Sequence, residues 1–368
     1  MATTMLGPLL PLLAARWALS DASAGALFTA QFVGQLTTTT LSTLITGRLG
    51  ERRTLAIGFV LVSVGVCAVG VVPAWLRWPA VLTYGLGLGC VLPVTNILVA
   101  ALAPTRAASA LSLVNVSWGA GAITWPLVVT AVTGVHPAGA TSLLAVLSVA
   151  IGAMWAAMPT DREFAPSATP RAGPEGAVAP VSVVASYAGL ILLYVGSETA
   201  ISGWVAAFAR RMAAGEGAWA YAPTAFWSAQ TAGRLLVPVF LHRVSESRLL
   251  VSSLIASVTA VLALSTTTTS VGGVIAASAL AGLGVAAIFP LLWAGVTRQI
   301  APSRPAAVGP LFAAGGVGGA VLPWLVGVVS TAHGLGPGLL VPLAALLLML
   351  VVVAAPDTVR TVKPSSVP

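Results

Sequence analysis

Two ionisable residues, Glu198 and Arg234, sit well inside long apolar stretches of the chain. A charge at the centre of a bilayer costs about 2.5–3.5 kcal/mol or more, so neither can face hydrocarbon. Counted from the ends of their stretches at the helical rise, the two differ in depth by about 8 Å, within reach of two long side chains on neighbouring helices. A carboxylate whose charge a proton can cancel, set beside a guanidinium, is a coupling site. The same pair also fits a permanent ion pair that ties two helices together. Around Glu198, Tyr194 and Ser202 fall at i−4 and i+4 on one helix face, with Trp204 beyond. Trp227, Gln230, Thr231 and Arg234 share a second face. Gln31 and Gln35, Asn96, and Asn115 with Trp118 and Trp125 add amides and rings at comparable spacing. Amides bond hydroxyls and flat rings cover C–H faces, which suits a hydroxylated, mostly neutral ligand such as a sugar. Amides also join helices to one another. Tryptophans also anchor at membrane interfaces, the role that fits Trp17, Trp75, Trp78 and Trp219 near the loop edges.

The elements that must hold these residues are transmembrane helices. Of the 368 residues 58% are hydrophobic and 7% charged, with a mean hydropathy of +0.99. A soluble protein carries about 25% charged residues to keep its surface wet. Apolar runs long enough to span recur at 24–46, 55–75, 79–103, 108–132, 139–158, 183–209, 220–241, 249–267, 271–297, 306–330 and 337–355. A twelfth candidate, Met1–Trp17, is apolar but short. The expected fold is all-α and integral to the membrane, with twelve helices in two six-helix bundles at 1–158 and 183–355. The Pro-rich, charged segment 159–182 reads as a linker and 356–368 as a tail.

The basic residues set the orientation. With Met1 on the cytoplasmic side, Arg48, Arg52, Arg53, Arg106, Arg243, Arg248, Arg298 and Arg304 fall on that side, with the linker and tail charges. Only Arg16, Arg77, Arg210 and Arg211 fall opposite. Positive loops stay inside, so both termini are expected in the cytoplasm and the protein in a plasma or inner membrane. The same dispersion argues against nucleic acid, which needs a stripe of phosphate contacts. Cys67 and Cys90 lie in apolar runs and read as small buried hydrophobes. There is no Cys/His metal spacing, and neither paired carboxylates nor a Ser/His/Asp set falls at membrane depth. No metal, cofactor or enzymatic activity is therefore expected, and a proton is the expected coupling ion.

The two bundles repeat one another. Gly85-Leu86-Gly87 with Pro93 recurs as Gly282-Leu283-Gly284 with Pro290, an offset of 197. Ala30-Gln31 and Gly34-Gln35-Leu36 recur as Ala229-Gln230 and Gly233-Arg234-Leu235, an offset of 199. Gly121-Ala122 recurs as Gly319-Ala320, an offset of 198. Three matches in order at nearly one offset mark a duplicated unit. Arg234 stands where the first bundle has Gln35. By the same repeat the first helix is about a dozen residues short, as a misassigned start would leave it. Glycines in these motifs let helices approach, and Pro93, Pro290 and Pro323 can kink them.

The segment Gly47-Arg48-Leu49-Gly50-Glu51-Arg52-Arg53 resembles a shortened form of the G-x-L-a-D-R-x-G-R-R motif of the major facilitator superfamily. Gly47, Leu49, Glu51 and Arg52 match it, one glycine is missing, and Glu replaces the usual Asp. The resemblance implies a cytoplasmic charge cluster, Gly47, Glu51 and Arg52, that latches the bundles in one state. Tyr194-Val195-Gly196-Ser197-Glu198 with Gly203-Trp204 is similar to the fucose permease-like branch (fucose, galactose and glucose permeases). So are Phe226-Trp227 with Gly233-Arg234, Phe289-Pro290, and Gly318-Gly319-Ala320 with Pro323-Trp324. That resemblance implies proton-linked uptake of a hydroxylated solute. The acids that the fucose permease uses in its first and fourth helices have no counterpart here, which leaves Glu198 as the one acid read inside a helix.

The expected partners are therefore a small solute and the bilayer, with the chain acting as a monomer. The residues fit a secondary transporter that takes up a sugar or related compound with protons. They leave open an efflux antiporter for hydrophobic compounds, or a receptor or scaffold that moves nothing. Glu198, Arg234, Asn115, Trp118, Gln31, Tyr194, Trp227, Gln230 and Asn96 are the residues expected at the solute or coupling site.

Overall fold

A computed structural model describes residues 1–102, 106–133, 136–157, 179–212, 218–266, 270–300 and 304–354, and every regular element among them is helical. The expected linker falls almost wholly outside the described residues, and the tail at 356–368 does so entirely. The helices are α1 (Leu6–Arg16), α2 (Asp21–Val71), α3 (Arg77–Leu102), α4 (Ala107–Thr133), α5 (Ala138–Ala157) and α6 (Val181–Arg211). They continue with α7 (Tyr221–Leu241), α8 (Glu246–Thr266), α9 (Val271–Val285), α10 (Ile288–Gln299), α11 (Val308–His333), α12 (Leu335–Gly338) and α13 (Leu340–Ala354). Short 3₁₀ turns lead into several of them.

Two boundaries differ from the sequence reading, each for a local reason. The break expected at 47–53 is a single joint inside α2, where Gly50 adopts φ 75° and ψ 161°. Glycine alone enters that region cheaply, so the chain changes direction in one residue and needs no loop. The reverse happens in the run 271–297, which divides into α9 and α10 at Ala286 and Ala287. Pro290 explains the division, because its ring clashes with the carbonyl four residues earlier, that of Ala286, and it donates no bond there.

Nine helical stretches among the described residues are long and apolar enough to cross a bilayer. Three segments are not among them: α1 is too short, and α7 and the arm 21–49 of α2 are longer but more polar. The arm carries Asp21, Gln31, Gln35 and a run of threonines, and α7 carries Gln230 and Arg234. All three segments line or back the site described below.

The first half of the chain packs α2 against α3 and α5. The second packs α6 against α11 and α13, and α9 against α7 and α8. Glycines set the spacing, and they do so alike in both halves. A Cβ on Gly85 would overlap the Gln31 backbone of α2, and one on Gly87 would crowd Val62 on the far arm. A Cβ on Gly282 would overlap the Phe226 backbone of α7, and one on Gly284 would crowd Ser257 of α8. The sequence repeat is thus also a repeat of packing. Gly282→Val is expected to destabilise by about 1–3 kcal/mol, the usual cost of overpacking. A thermal melt in detergent against wild type checks it, and Gly189→Val, where a Cβ meets nothing within 4 Å, serves as the control.

Between the halves α2 lies along α11, α1 along α6, and α4 along α7. The α2–α11 seam is shut at the end bearing Arg211. Gly327 presses on Asp21, Gly25 on Pro323, Gly319 on Phe32 and Gly316 on Leu36. Toward the opposite end, Gly47 of α2 and Gly309 of α11 have nothing within 4 Å of an added Cβ. The close glycine contacts between α2 and α11 thus gather at the Arg211 end.

The tryptophans divide differently from the sequence expectation. Trp75 is 73% exposed, as an interface anchor would be, but Trp17 and Trp219 are buried at 5% and 6%. Trp17 donates from its indole to the Val72 carbonyl at 3.2 Å, so it ties the end of α1 to the end of α2 rather than facing headgroups.

Candidate functional site

A cavity of about 230 Å³ lies between the two halves. Its walls are Thr3, Thr4, Leu6 and Gly7 from the first segment, and Phe28, Gln31, Phe32 and Gln35 from α2. Leu92 of α3, Trp118 of α4, Val195, Glu198, Thr199, Ser202 and Gly203 of α6, and Trp227 of α7 complete it. The polar arm of α2 faces this space because its polar side chains find nothing to bond in lipid.

Glu198 is the one charged residue in the lining, and it is tightly held. Arg234 Nη2 lies 3.1 Å from Glu198 Oε1, with the two side chains 31% and 16% exposed. The Tyr194 hydroxyl donates to the same oxygen at 2.8 Å, and Gln230 Nε2 donates to it as well. Arg234 Nη2 also points at the Tyr194 oxygen at 3.4 Å. Three donors from two helices thus converge on one carboxylate oxygen. The guanidinium of Arg234 further lies 5.7 Å from the centre of the Trp118 ring, a cation–π contact across the halves. Trp118 meets Trp227 edge-to-face at 5.2 Å, again across the halves, and its indole donates to Thr3 Oγ1 at 2.8 Å. Arg234 therefore touches the acid of its own half and a ring of the other.

The residues singled out from sequence fall into three groups. Glu198, Gln31, Trp118 and Trp227 line the cavity, joined by Gln35, Thr199 and the Phe28 and Phe32 rings. Tyr194, Gln230 and Arg234 stand behind the lining and position the carboxylate. Asn96 and Asn115 are exposed and are not in the lining, and the Asn96 amide donates to the Leu92 carbonyl at 3.1 Å. Of the latch residues, Gly47 ends the first arm of α2, while Glu51 and Arg52 open the second arm next to the Gly50 joint.

Sequence reasoning passed over one acid. Asp21 is a helix residue, in the first turn of α2, rather than a loop residue ahead of the run at 24. Its carboxylate takes two bonds from Arg211 of α6, one of them 2.9 Å, and a third from the Ser330 hydroxyl of α11. The neighbouring Ala22 amide donates to Thr331 Oγ1 at 2.9 Å. This cluster closes the Arg211 end across the halves. The pattern that could have revealed it is Ser20-Asp21-Ala22-Ser23, an N-cap followed by an acid, and Ser20 does cap the Ser23 amide at 3.3 Å. A second signal is that this end otherwise carries only arginines. Among the described residues no group of three or more His, Cys, Asp or Glu could hold a metal.

No curated protein matches the chain in sequence. Solved structures match its fold over nearly its whole length. A mutant of the nucleoside transporter NupG matches with a TM-score of 0.77 at 14% identity, over 95% of this chain and 94% of that one. A D-xylose-proton symporter matches at 0.74 and 12% identity, over 96% and 93%. The E. coli fucose:proton symporter FucP, in mutant form, matches at 0.60 and 16% identity, over 95% and 93%. At these identities the likeness is one of fold, a two-domain helical bundle. The family model of the Major Facilitator Superfamily matches residues 1–299. With that match over most of its length, the chain belongs to the Major Facilitator Superfamily and is a transporter rather than an enzyme.

Proposed function

We propose that this transporter has twelve spans and takes up a small hydroxylated solute, a sugar or related compound, together with protons. The observation that carries the reading is the cavity between the halves, where one carboxylate, two amides with no partner among the described residues and several rings meet. Solute sites of such transporters lie at the interface between halves that rock about them. The structural neighbours support the hydroxylated class, since they are nucleoside, D-xylose and fucose carriers, two of them proton-linked. Glu198 is the proposed proton site. A proton there cancels the charge that holds Arg234, and frees the guanidinium for the solute. The positive-inside bias places the Arg211 end outside, so the state described is closed to the exterior, with the Glu51 and Arg52 end toward the cytoplasm. A plasma or inner membrane, both termini inside and a monomeric working unit complete the proposal.

Uptake of labelled D-xylose, L-fucose and uridine into proteoliposomes under an imposed inward proton gradient tests it. Accumulation of at least one solute, abolished by a protonophore, is expected. Gradient-driven export of a hydrophobic dye with no sugar or nucleoside movement would establish the efflux reading instead. The two glutamine amides in the cavity argue against that reading, since a pocket for hydrophobic compounds leaves them unpaired. Flux unchanged in Glu198→Gln would remove that residue as the coupling site.

A further inference from the structure

The carboxylate of Glu198 is bonded unevenly. Oε1 accepts from Tyr194, Gln230 and Arg234, while Oε2 accepts no bond from any described residue, although Glu198 lines the cavity. A carboxylate oxygen has room for about two strong bonds, so a saturated Oε1 fixes the rotamer and leaves Oε2 as the working atom. In the same lining, the Gln31 and Gln35 amides make no side-chain bond to any described residue either. Ser202 already donates its hydroxyl to the Glu198 backbone carbonyl at 2.7 Å, so on that wall it can only accept.

We infer that Glu198 in its unprotonated form selects the solute by requiring a hydrogen-bond donor at Oε2, while the Gln31 and Gln35 amides of the other half take a donor–acceptor pair. The charge of Glu198 is balanced by Arg234, so the site calls for a neutral donor, a hydroxyl or an N–H, rather than a cation. The volume of about 230 Å³ suits a small solute, below the roughly 300–1,000 Å³ of drug-sized pockets. Trp118 and Trp227, edge-to-face with one another, are among the walls of the cavity. The solute is thus a small neutral molecule with a donor for Glu198 and a donor–acceptor pair for the two glutamines, held by both halves at once. This assignment rests on the proposed uptake of a hydroxylated solute.

The test uses whole protein in nanodiscs, with whichever of D-xylose, L-fucose or uridine binds, and its mono-O-methyl series. Each methyl ether keeps an acceptor and removes one donor. In wild type, one ether is expected to lose about tenfold or more in affinity, the worth of a bond to a charged group. In Glu198→Gln the amide keeps its oxygen on Tyr194 and Arg234 and turns its NH₂ to the cavity, so the same ether is expected to bind as well as its parent. A merely structural role would weaken all ligands alike. An unchanged ranking of ethers in Glu198→Gln, with parent binding retained in wild type, would overturn the inference alone. Binding of none of the three parents to wild type would overturn the proposed substrate class, and the inference with it.

Discussion

Arg234→Leu is expected to abolish solute movement and to lower stability by about 2–3 kcal/mol. Breaking a fully buried ion pair from one side costs about 3–5 kcal/mol, because the remaining charge is left without compensation. Partial exposure of both side chains, 31% and 16%, brings the figure below that range. The geometry adds a second loss, since Arg234 is also the cation over Trp118. The double variant Glu198→Gln, Arg234→Leu removes the stranded charge and should recover most of the stability while remaining unable to transport. Thermal unfolding of purified protein, read beside flux in proteoliposomes, separates the two effects. Wild-type flux in Arg234→Leu would reduce the pair to a tie between helices.

Asp21→Asn is expected to shift the protein toward a form open at the Arg211 end. The aspartate gathers bonds from α6 and α11 onto α2, two of them from one guanidinium. The amide that replaces it keeps the shape but cannot draw Arg211 by charge. Each 1.4 kcal/mol of lost contact moves the open-to-closed ratio about tenfold. Spin labels on cysteines at Ala15 and Ala332, both exposed at that end, report it in a chain lacking Cys67 and Cys90. Their distance distribution should gain a longer component in Asp21→Asn. The exchange Asp21→Arg with Arg211→Asp should reverse the gain. An unmoved distribution would show that the glycine-lined seam alone holds this end.

The helices and the duplication were legible because lipid forbids unpaired backbone and enforces long apolar runs. Glu198 and Arg234 were legible for the same reason turned round, since charges that costly must find one another. The choice among amides was harder. Gln31 faces the cavity, whereas Asn96 and Asn115 do not line it. A helix in a membrane is apolar toward its neighbours and toward lipid alike, so the pattern carries little record of which face turns inward. Asp21 escaped for another reason. Its partners lie 190 and 309 residues away along the chain, and a charge at a helix start reads as solvated until the fold brings them in. The Gly50 joint was hidden because glycine marks a loop and a hinge with the same letter.

Helix α6 carries both Glu198 and Arg211, and it runs without a break from Val181 to Arg211. Thirteen residues separate the two side chains, about 20 Å of stiff rod. A tilt of roughly 5° about the solute site would carry the Arg211 end nearly 2 Å, enough to take a bond at 2.9 Å out of range. Occupant and exit are thus mounted on one lever. Whatever turns the rod at its middle sets the far contact in the same stroke, with no slack for the two to fall out of step.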